Sequence, residues 1–423
     1  MHKIRISPSV LRGTVSVPPS KSAAHRAIIC AALARGKSII SPIELSNDIL
    51  ATISCMRNLG AEIELDGTTL TVDGTNVFSV KNVTLDCGES GSTLRFLVPV
   101  AAAGGVAACF VGHGKLPERP IGVYTDCLPE KGVKCVTKGG LPLEISGRLK
   151  SGIYEIPGNI SSQFITGLLL ALPVLDGDSE IRLTSPAQSV GYISMTINAM
   201  KDFGVNVQPL QDGWKIPGNQ QYICRNYNVE GDWSQAAFFM TAAALGGEIS
   251  IDNLSTLSAQ GDKECMEIYR RLGVSINENN GIIIMKPGSL RGIEVDASDI
   301  PDMVPALAAA AAVAEGRTVI RGAERLRIKE CDRLAAMADG LTKLGAKIKE
   351  TSDGLIIDGV KTLSGGFAEG YNDHRVVMSL SMTAAACSGD IVLTDMESVN
   401  KSYPSFFDEY RRLGGIADVI MGQ

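Results

Sequence analysis

The sequence predicts an α/β protein of six β-α-β-α-β-β repeats, three in each of two domains, with helices packed inside and sheets outside. Three observations carry this. First, six Ala-rich segments follow one plan: "SKSAAHRAIICAALARGKSII", "SGSTLRFLVPVAAAGGVAACFV", "SSQFITGLLLALPVLDGDSEIRL", "DWSQAAFFMTAAALGGEISI", "DIPDMVPALAAAAAVAEGRTVI" and "NDHRVVMSLSMTAAACSGDIVL". Each has a polar start, a helix of small apolar residues, a glycine and a short β-like run. The starts fall at Ser20, Ser90, Ser161, Asp232, Asp302 and Asn372. The period is roughly 70 residues, too long for a common solenoid and suited to a small α/β unit. Second, each segment has a second half of the type "NDILATISCMRNLGAEIELDGTTLTVDG". Here Ile63 and Leu65, then Leu70 and Val72, alternate with polar residues on either side of Asp66-Gly67, a hairpin signal. The same punctuation returns at Gly139-Gly140, Asp212-Gly213, Asn280-Gly281 and Asp353-Gly354. Third, the sixth repeat ends one strand short after "YRRLGGIADVIMGQ", and the N-terminal "HKIRIS" has the alternation to complete it.

The chain would therefore start in its last domain, cross into the first and return near "NVEGDW". Residues 1–12 with 230–423 are expected to form one domain and residues 13–229 the other. The crossings are expected near Arg12 to Ser16 and near Val229 to Gly231. The cleft between two such halves is the expected ligand site.

Bulk properties narrow the function. A chain of 423 residues that is 45% hydrophobic can bury two sizeable cores. A net charge of −6 argues against general nucleic-acid binding. The ten cysteines form no C-x-x-C pair, which suggests free thiols and a reducing compartment. The four histidines have no metal-ligand spacing. "MHKIRISPSV" is no signal peptide, and the longest apolar run is broken by Pro99, Gly104 and Gly105, so no membrane span is read. The expected location is cytoplasmic.

The helix starts carry the chemistry. In "PPSKSAAHRAII" Ser20 is a plausible N-cap, yet Lys21 and Arg26 follow where the helix dipole is positive. Hydroxyls, small residues and cations recur at Ser90, Gly91, Ser92 and Arg95, at Ser161, Ser162 and Gln163, and at His374 and Arg375. Further cations follow in "LPERPIG" (Arg119), "RIKECDRL" (Lys329, Arg333) and "NKSYP" (Lys401). Lys329 and Arg333, four apart, are expected on one helix face. A single such cation is readily a solvated side chain. So many, in a chain acidic overall, point to a polyanionic ligand held by backbone N–H groups and cations together. Two acids stand among them: Asp302, opening an Ala-rich helix, and Glu330, between Lys329 and Arg333. Their plain readings are a helix cap and an ion-pair partner.

Eight stretches in register, "PPSKSAAHRA", "GESGSTLRF", "LPERPIG", "ISSQFITGLLLALP", "IPDMVPALAAAAAVAEG", "RIKECDRLAAM", "YNDHRVVMSLSM" and "KSYPSFF", resemble the 5-enolpyruvylshikimate-3-phosphate synthase (3-phosphoshikimate 1-carboxyvinyltransferase) family. The resemblance implies an inside-out α/β barrel in two domains. It also implies transfer of the enolpyruvyl group of phosphoenolpyruvate to the 5-hydroxyl of shikimate 3-phosphate, in aromatic amino-acid biosynthesis. Carried over by motif, Lys21, Ser22, Arg26, Ser161, Ser162, Gln163, Ser189, Asp302 and Lys329 would hold shikimate 3-phosphate. Lys21, Gly91, Arg119, Gln163, Arg333, Arg375 and Lys401 would surround phosphoenolpyruvate. Asp302 would be the base and Glu330 the acid, with Lys21 contributing. A glutamate beside Lys and Arg is normally a poor acid, so its protonation should depend on substrate. The resemblance implies no metal or organic cofactor, a commonly monomeric enzyme and inhibition by glyphosate. Four positions depart from the family's frequent residues: Glu89 and His25 each stand for Asn, Phe96 for Pro and Arg325 for Asn.

The sister family, UDP-N-acetylglucosamine enolpyruvyl transferase, is the nearest alternative. It usually carries a reactive cysteine in the loop matching "GHGKLPERP" and Lys-Asn where this chain has Lys21-Ser22. A repeat scaffold without chemistry is the third reading. It would need a broad exposed binding face, whereas the polar residues here gather at helix starts.

Overall fold

The six repeats are six four-stranded sheets in a computed structural model that describes residues 2–420. All six sheets share one topology. In the sheet of Asn82–Asp86, Ala107–Val111, Val133–Val136 and Leu143–Gly147, the first two strands pair in parallel. The fourth then lies antiparallel to the second, and the third forms the edge. The hairpins close where expected. Leu65 faces Leu70 and Asp66 faces Thr69 around the first turn. At Asn280-Gly281 both residues have positive φ (52° and 78°), the backbone a two-residue hairpin turn demands. Gly354 serves a different need: a Cβ there would lie 1.8 Å from the Ile320 carbonyl oxygen of the central strand.

The Ala-rich segments fold as the helices Lys21–Leu33, Gly91–Ala103, Ser162–Ala171, Trp233–Ala244, Val304–Ala311 and His374–Met382. Their residues are small or apolar on all sides, so they pack inside rather than on a surface. Every residue of Trp233–Ala244, Val304–Ala311 and His374–Met382 is buried, and these three helices pack on one another. Gly91–Ala103 packs likewise on Ser162–Ala171. Gly167 permits that approach, since a Cβ there would come within 2.2 Å of the Arg95 carbonyl oxygen.

The chain divides into two compact units, Met1–Pro18 with Glu230–Gln423, and Pro19–Val229. The first crossing therefore falls after Pro18, not at residue 12. The reason is strand pairing: Arg12–Val15 lies parallel to Glu248–Ile251, and the Asn253 side-chain amide then holds Val17 N–H (2.9 Å) and Val17 C=O (2.5 Å). The repeat interrupted by the crossing thus keeps its first strand on its own side. Its counterpart in the other unit takes its first strand from the far end, Asn226–Asn228 beside Lys37–Ser41. Lys3–Ser7 completes the sixth sheet, between Ile391–Leu393 and Ile416–Ile420. All ten cysteines are free thiols. Among the described residues no helix is long and apolar enough to cross a membrane.

Candidate active site

Helix starts position the functional side chains in both units. Ser20, Ser90 and Ser161 cap their helices by accepting from the N–H of Ala23, Thr93 and Gln163; Asp232 and Asp373 accept from Ser234 and Arg375. Such a cap fixes the first turn to about 1 kcal/mol and aims the residues after it. The sixth helix starts one residue later than read from sequence, with Asn372 in a left-handed conformation (φ 50°) just before the cap.

In Pro19–Val229, Lys21 opens its helix and places Nζ 2.6 Å from Asp48 Oδ2. Arg26 turns inward. Its Nε donates to Thr196 Oγ1 (2.8 Å), and its terminal nitrogens to the carbonyls of Tyr192 (2.9 Å) and Ser22 (2.6 Å) and to Thr166 Oγ1 (3.4 Å). The guanidinium also lies over the Phe96 ring at 5.2 Å. Burial pulls Arg26 down to about 10, against smaller opposing contributions from Tyr192, Cys30 and Tyr227. A second cluster joins two other helix starts. Arg95 donates to Gln163 Oε1 (2.7 Å) and to the Pro120 carbonyl (3.0 Å), and Gln163 Nε2 donates to Ser92 Oγ (3.0 Å). The Arg119 guanidinium lies against Gly91, where a Cβ would come within 2.8 Å of both terminal nitrogens. Ser162 is buried in the first turn of its helix, and Ser189, buried with φ 55°, precedes the helix Val190–Asp202.

In Met1–Pro18 with Glu230–Gln423, three carboxylates surround one guanidinium. Arg333, 2% exposed, donates from Nε to Asp373 Oδ2 (2.7 Å), from one terminal nitrogen to Asp302 Oδ1 (3.0 Å) and from the other to Glu330 Oε2 (2.7 Å). Arg375 reaches Asp302 Oδ2 at 3.1 Å, the Asp302 carbonyl at 2.9 Å and Ser234 Oγ at 2.9 Å. Lys329 Nζ stands 4.0 Å from Asp302 Oδ1. Lys401 joins through the Asn372 carbonyl at 2.6 Å. Lys329 and Arg333 do not share a helix face. Lys329 ends a short 3-10 turn, Asp332 caps the next helix and Arg333 is its first residue. The turn between them brings both cations to Asp302.

The electrostatics follow from this packing. Burial pushes the Asp302 carboxyl up, but Arg375, Lys329 and Arg333 outweigh it and hold the group well below the usual carboxylate range. Burial opposes the charge on Arg333, and Asp373, Glu330 and Asp302 more than restore it. Burial, then Asp373, pushes the neighbouring Cys331 thiol up, so it stays protonated.

Two acids of these clusters, Asp48 and Asp373, were not singled out from sequence. Each sits in or just before a helix's first turn, where an acid is ordinary. The phrase "YNDHR" offered the only signal, an acid two residues before Arg375.

The sequence has a match along nearly all of its length. The model of the EPSP synthase (3-phosphoshikimate 1-carboxyvinyltransferase) family matches residues 6–410. The chain belongs to this family. A 3-phosphoshikimate 1-carboxyvinyltransferase of Clostridium perfringens is 46% identical over 422 residues, covering 98% of this chain and 99% of the relative. One of Clostridium beijerinckii is 48% identical over 429 residues, covering 99% of each. A solved EPSP synthase structure from Acinetobacter baumannii superposes with a TM-score of 0.82 at 29% identity, covering all of both chains. EPSP synthase membership at this coverage favours the main reading over the sister enolpyruvyl transferase.

Proposed function

We propose that residues of both units hold the substrate anions and that the acids of Met1–Pro18 with Glu230–Gln423 move the protons of the family's reaction. The reaction is transfer of the enolpyruvyl group of phosphoenolpyruvate to the 5-hydroxyl of shikimate 3-phosphate, with release of phosphate. Lys21, Ser22, Arg26, Ser161, Ser162, Gln163 and Ser189 bind shikimate 3-phosphate. Lys21, Gly91, Arg119 and Gln163 bind phosphoenolpyruvate together with Arg333, Arg375 and Lys401. Asp302 and Lys329 meet the shikimate ring.

Addition needs a base at the 5-hydroxyl and an acid at C3 of phosphoenolpyruvate. Asp302 takes the hydroxyl proton as oxygen bonds to C2, and Glu330 gives a proton to C3. Glu330 then takes a C3 proton back as the C2–O bond breaks and phosphate leaves, and Asp302 gives its proton up to the departing phosphate or to solvent. A carboxylate held as low as Asp302 is a weak base, and a glutamate paired with Arg333 at 2.7 Å is a poor proton donor. Both defects ease when substrate anions engage Arg333 and Arg375, because the charge that holds the two acids ionised is then shared. The observation that carries this reading is the Asp302 carboxylate, met by Arg333 at 3.0 Å and Arg375 at 3.1 Å beside Glu330. A coupled phosphate-release assay with both substrates tests it: release that requires both is expected, and none would overturn it. A monomeric, cytoplasmic enzyme without cofactor completes the proposal, with sedimentation equilibrium as the check on mass.

A further inference from the structure

We propose that Asp48 is a positioning residue for Lys21, its carboxylate fixing the ammonium that reaches both substrates. This rests on the reading above that Lys21 contacts shikimate 3-phosphate and phosphoenolpyruvate. Asp48 is the second residue of the helix Asn47–Asn58, capped by Ser46. An acid there ordinarily answers the helix dipole. Here its Oδ2 instead lies 2.6 Å from Nζ of a residue on another helix, with the two side chains only 12% and 18% exposed. A pair so shielded from water is not the loose surface contact whose worth averages near zero. An ammonium has three N–H donors. Committing one to this carboxylate sets the direction of the others.

The fold holds the backbone that carries that carboxylate. Thr93 Oγ1 lies 3.4 Å from the Asp48 carbonyl oxygen, 2.8 Å from Ser90 Oγ and 2.7 Å from Thr52 Oγ1. Thr52 Oγ1 in turn lies 2.8 Å from His25 Nδ1. His25 is on the same helix as Lys21, so the polar chain returns to where it began. It ties together the helices Lys21–Leu33, Asn47–Asn58 and Gly91–Ala103, the last of which starts at Gly91. Burial, then Lys21 and Arg26, hold His25 well below its ordinary value, so the chain passes through a neutral imidazole. Its ring meets Phe96 edge-on at 6.3 Å. Two departures from the family's frequent residues, His25 and Phe96, thus support one structure.

A double-mutant cycle in the full enzyme tests the inference, read as the dissociation constant for shikimate 3-phosphate by calorimetry. Asp48→Asn should weaken binding about 10-fold in the native background and less than about 2-fold in Lys21→Met. Asp48→Glu, which keeps the charge, should lose less than Asp48→Asn. An equal loss in both backgrounds would overturn the inference, because Asp48 would then act without Lys21. Native affinity and activity in Lys21→Met alone would instead overturn the reading on which it rests. If Asp48→Asn does not fold, Thr93→Val, which unseats the Asp48 backbone, goes through the same cycle with the same two outcomes.

Discussion

The two units use one repeat to opposite electrostatic ends. In Pro19–Val229 the buried Arg26 leans on hydroxyls and carbonyls: Thr166, Thr196, Tyr192 and Ser22. In the other unit Arg333 and Arg375 lean on carboxylates: Asp302, Glu330 and Asp373. Neutral partners orient a cation without cancelling it, so its charge is left for an anionic ligand. Carboxylate partners cancel the charge and keep acids where protons can be exchanged. Identical scaffolds can therefore specialise by the choice of partner around an arginine.

The contrast breaks most sharply at Asp302. Asp302→Ala should lower turnover about 1,000-fold or more with substrate binding largely kept, since only this unit is assigned the proton chemistry. Steady-state kinetics with both substrates checks it, and near-native turnover would end the division of labour. Next in size is Asp373→Asn. Asp373 is fully buried against Arg333, and removing one partner of such a pair costs about 3 kcal/mol. The matching change in the other unit, Thr166→Val beside Arg26, should cost only about 1 kcal/mol. Urea unfolding of the two variants gives the comparison directly. Gly91→Ala should act mainly on binding. The new methyl group displaces the Arg119 guanidinium, so the KM for phosphoenolpyruvate should rise about 10-fold with a smaller change in kcat. Competition by glyphosate against phosphoenolpyruvate should weaken with it.

A further effect is in pH. His25 and Asp302 both have depressed folded values, so each contributes stability above its unfolded pKa that is lost on acidification toward the folded one. For His25 the loss starts near pH 6.5, at up to about 1.4 kcal/mol per unit. For Asp302 it starts only near pH 4. Lowering pH from 7 to 5 should therefore lower the protection factors around the helix Lys21–Leu33, once the slower intrinsic exchange at low pH is divided out, and His25→Asn should remove that loss. Hydrogen exchange read by mass spectrometry follows both units in one sample.

The repeats were legible because their signals are local. Asp66-Gly67 and Asn280-Gly281 announce hairpins through backbone geometry that neighbours cannot override. Alanine on every side of a helix, as in "VPALAAAA", leaves only the interior as its place. The missing last strand was legible by counting. What stayed hidden depends on contacts distant in sequence. Asp48 meets Lys21 across 27 residues and Asp373 meets Arg333 across 40, and in "SNDILA" and "YNDHR" both look like common helix-start acids. The spacing of Lys329 and Arg333 predicts one helix face, whereas Asp332, between them, caps a helix that begins only at Arg333. The first crossing was placed early because nothing in "RGTVSV" announces its pairing with Glu248–Ile251.

The sixth sheet also sets an order of events during synthesis. Lys3–Ser7 leaves the ribosome long before its neighbours, Ile391–Leu393 and Ile416–Ile420. Arg12–Val15 must likewise wait for Glu248–Ile251. Pro19–Val229 contains all of its own strands and can close while the rest is still being made. At translation rates of about 5–20 residues per second, the first strand waits on the order of 20–80 s for its partners. In the first part of that interval two strands, and later Lys3–Ser7 alone, have unpaired backbone tethered to a finished neighbour, the kind of edge to which other chains add. Chaperone demand in the cell should track that wait, and moving these two strands to the other end of the chain by circular permutation should shorten it.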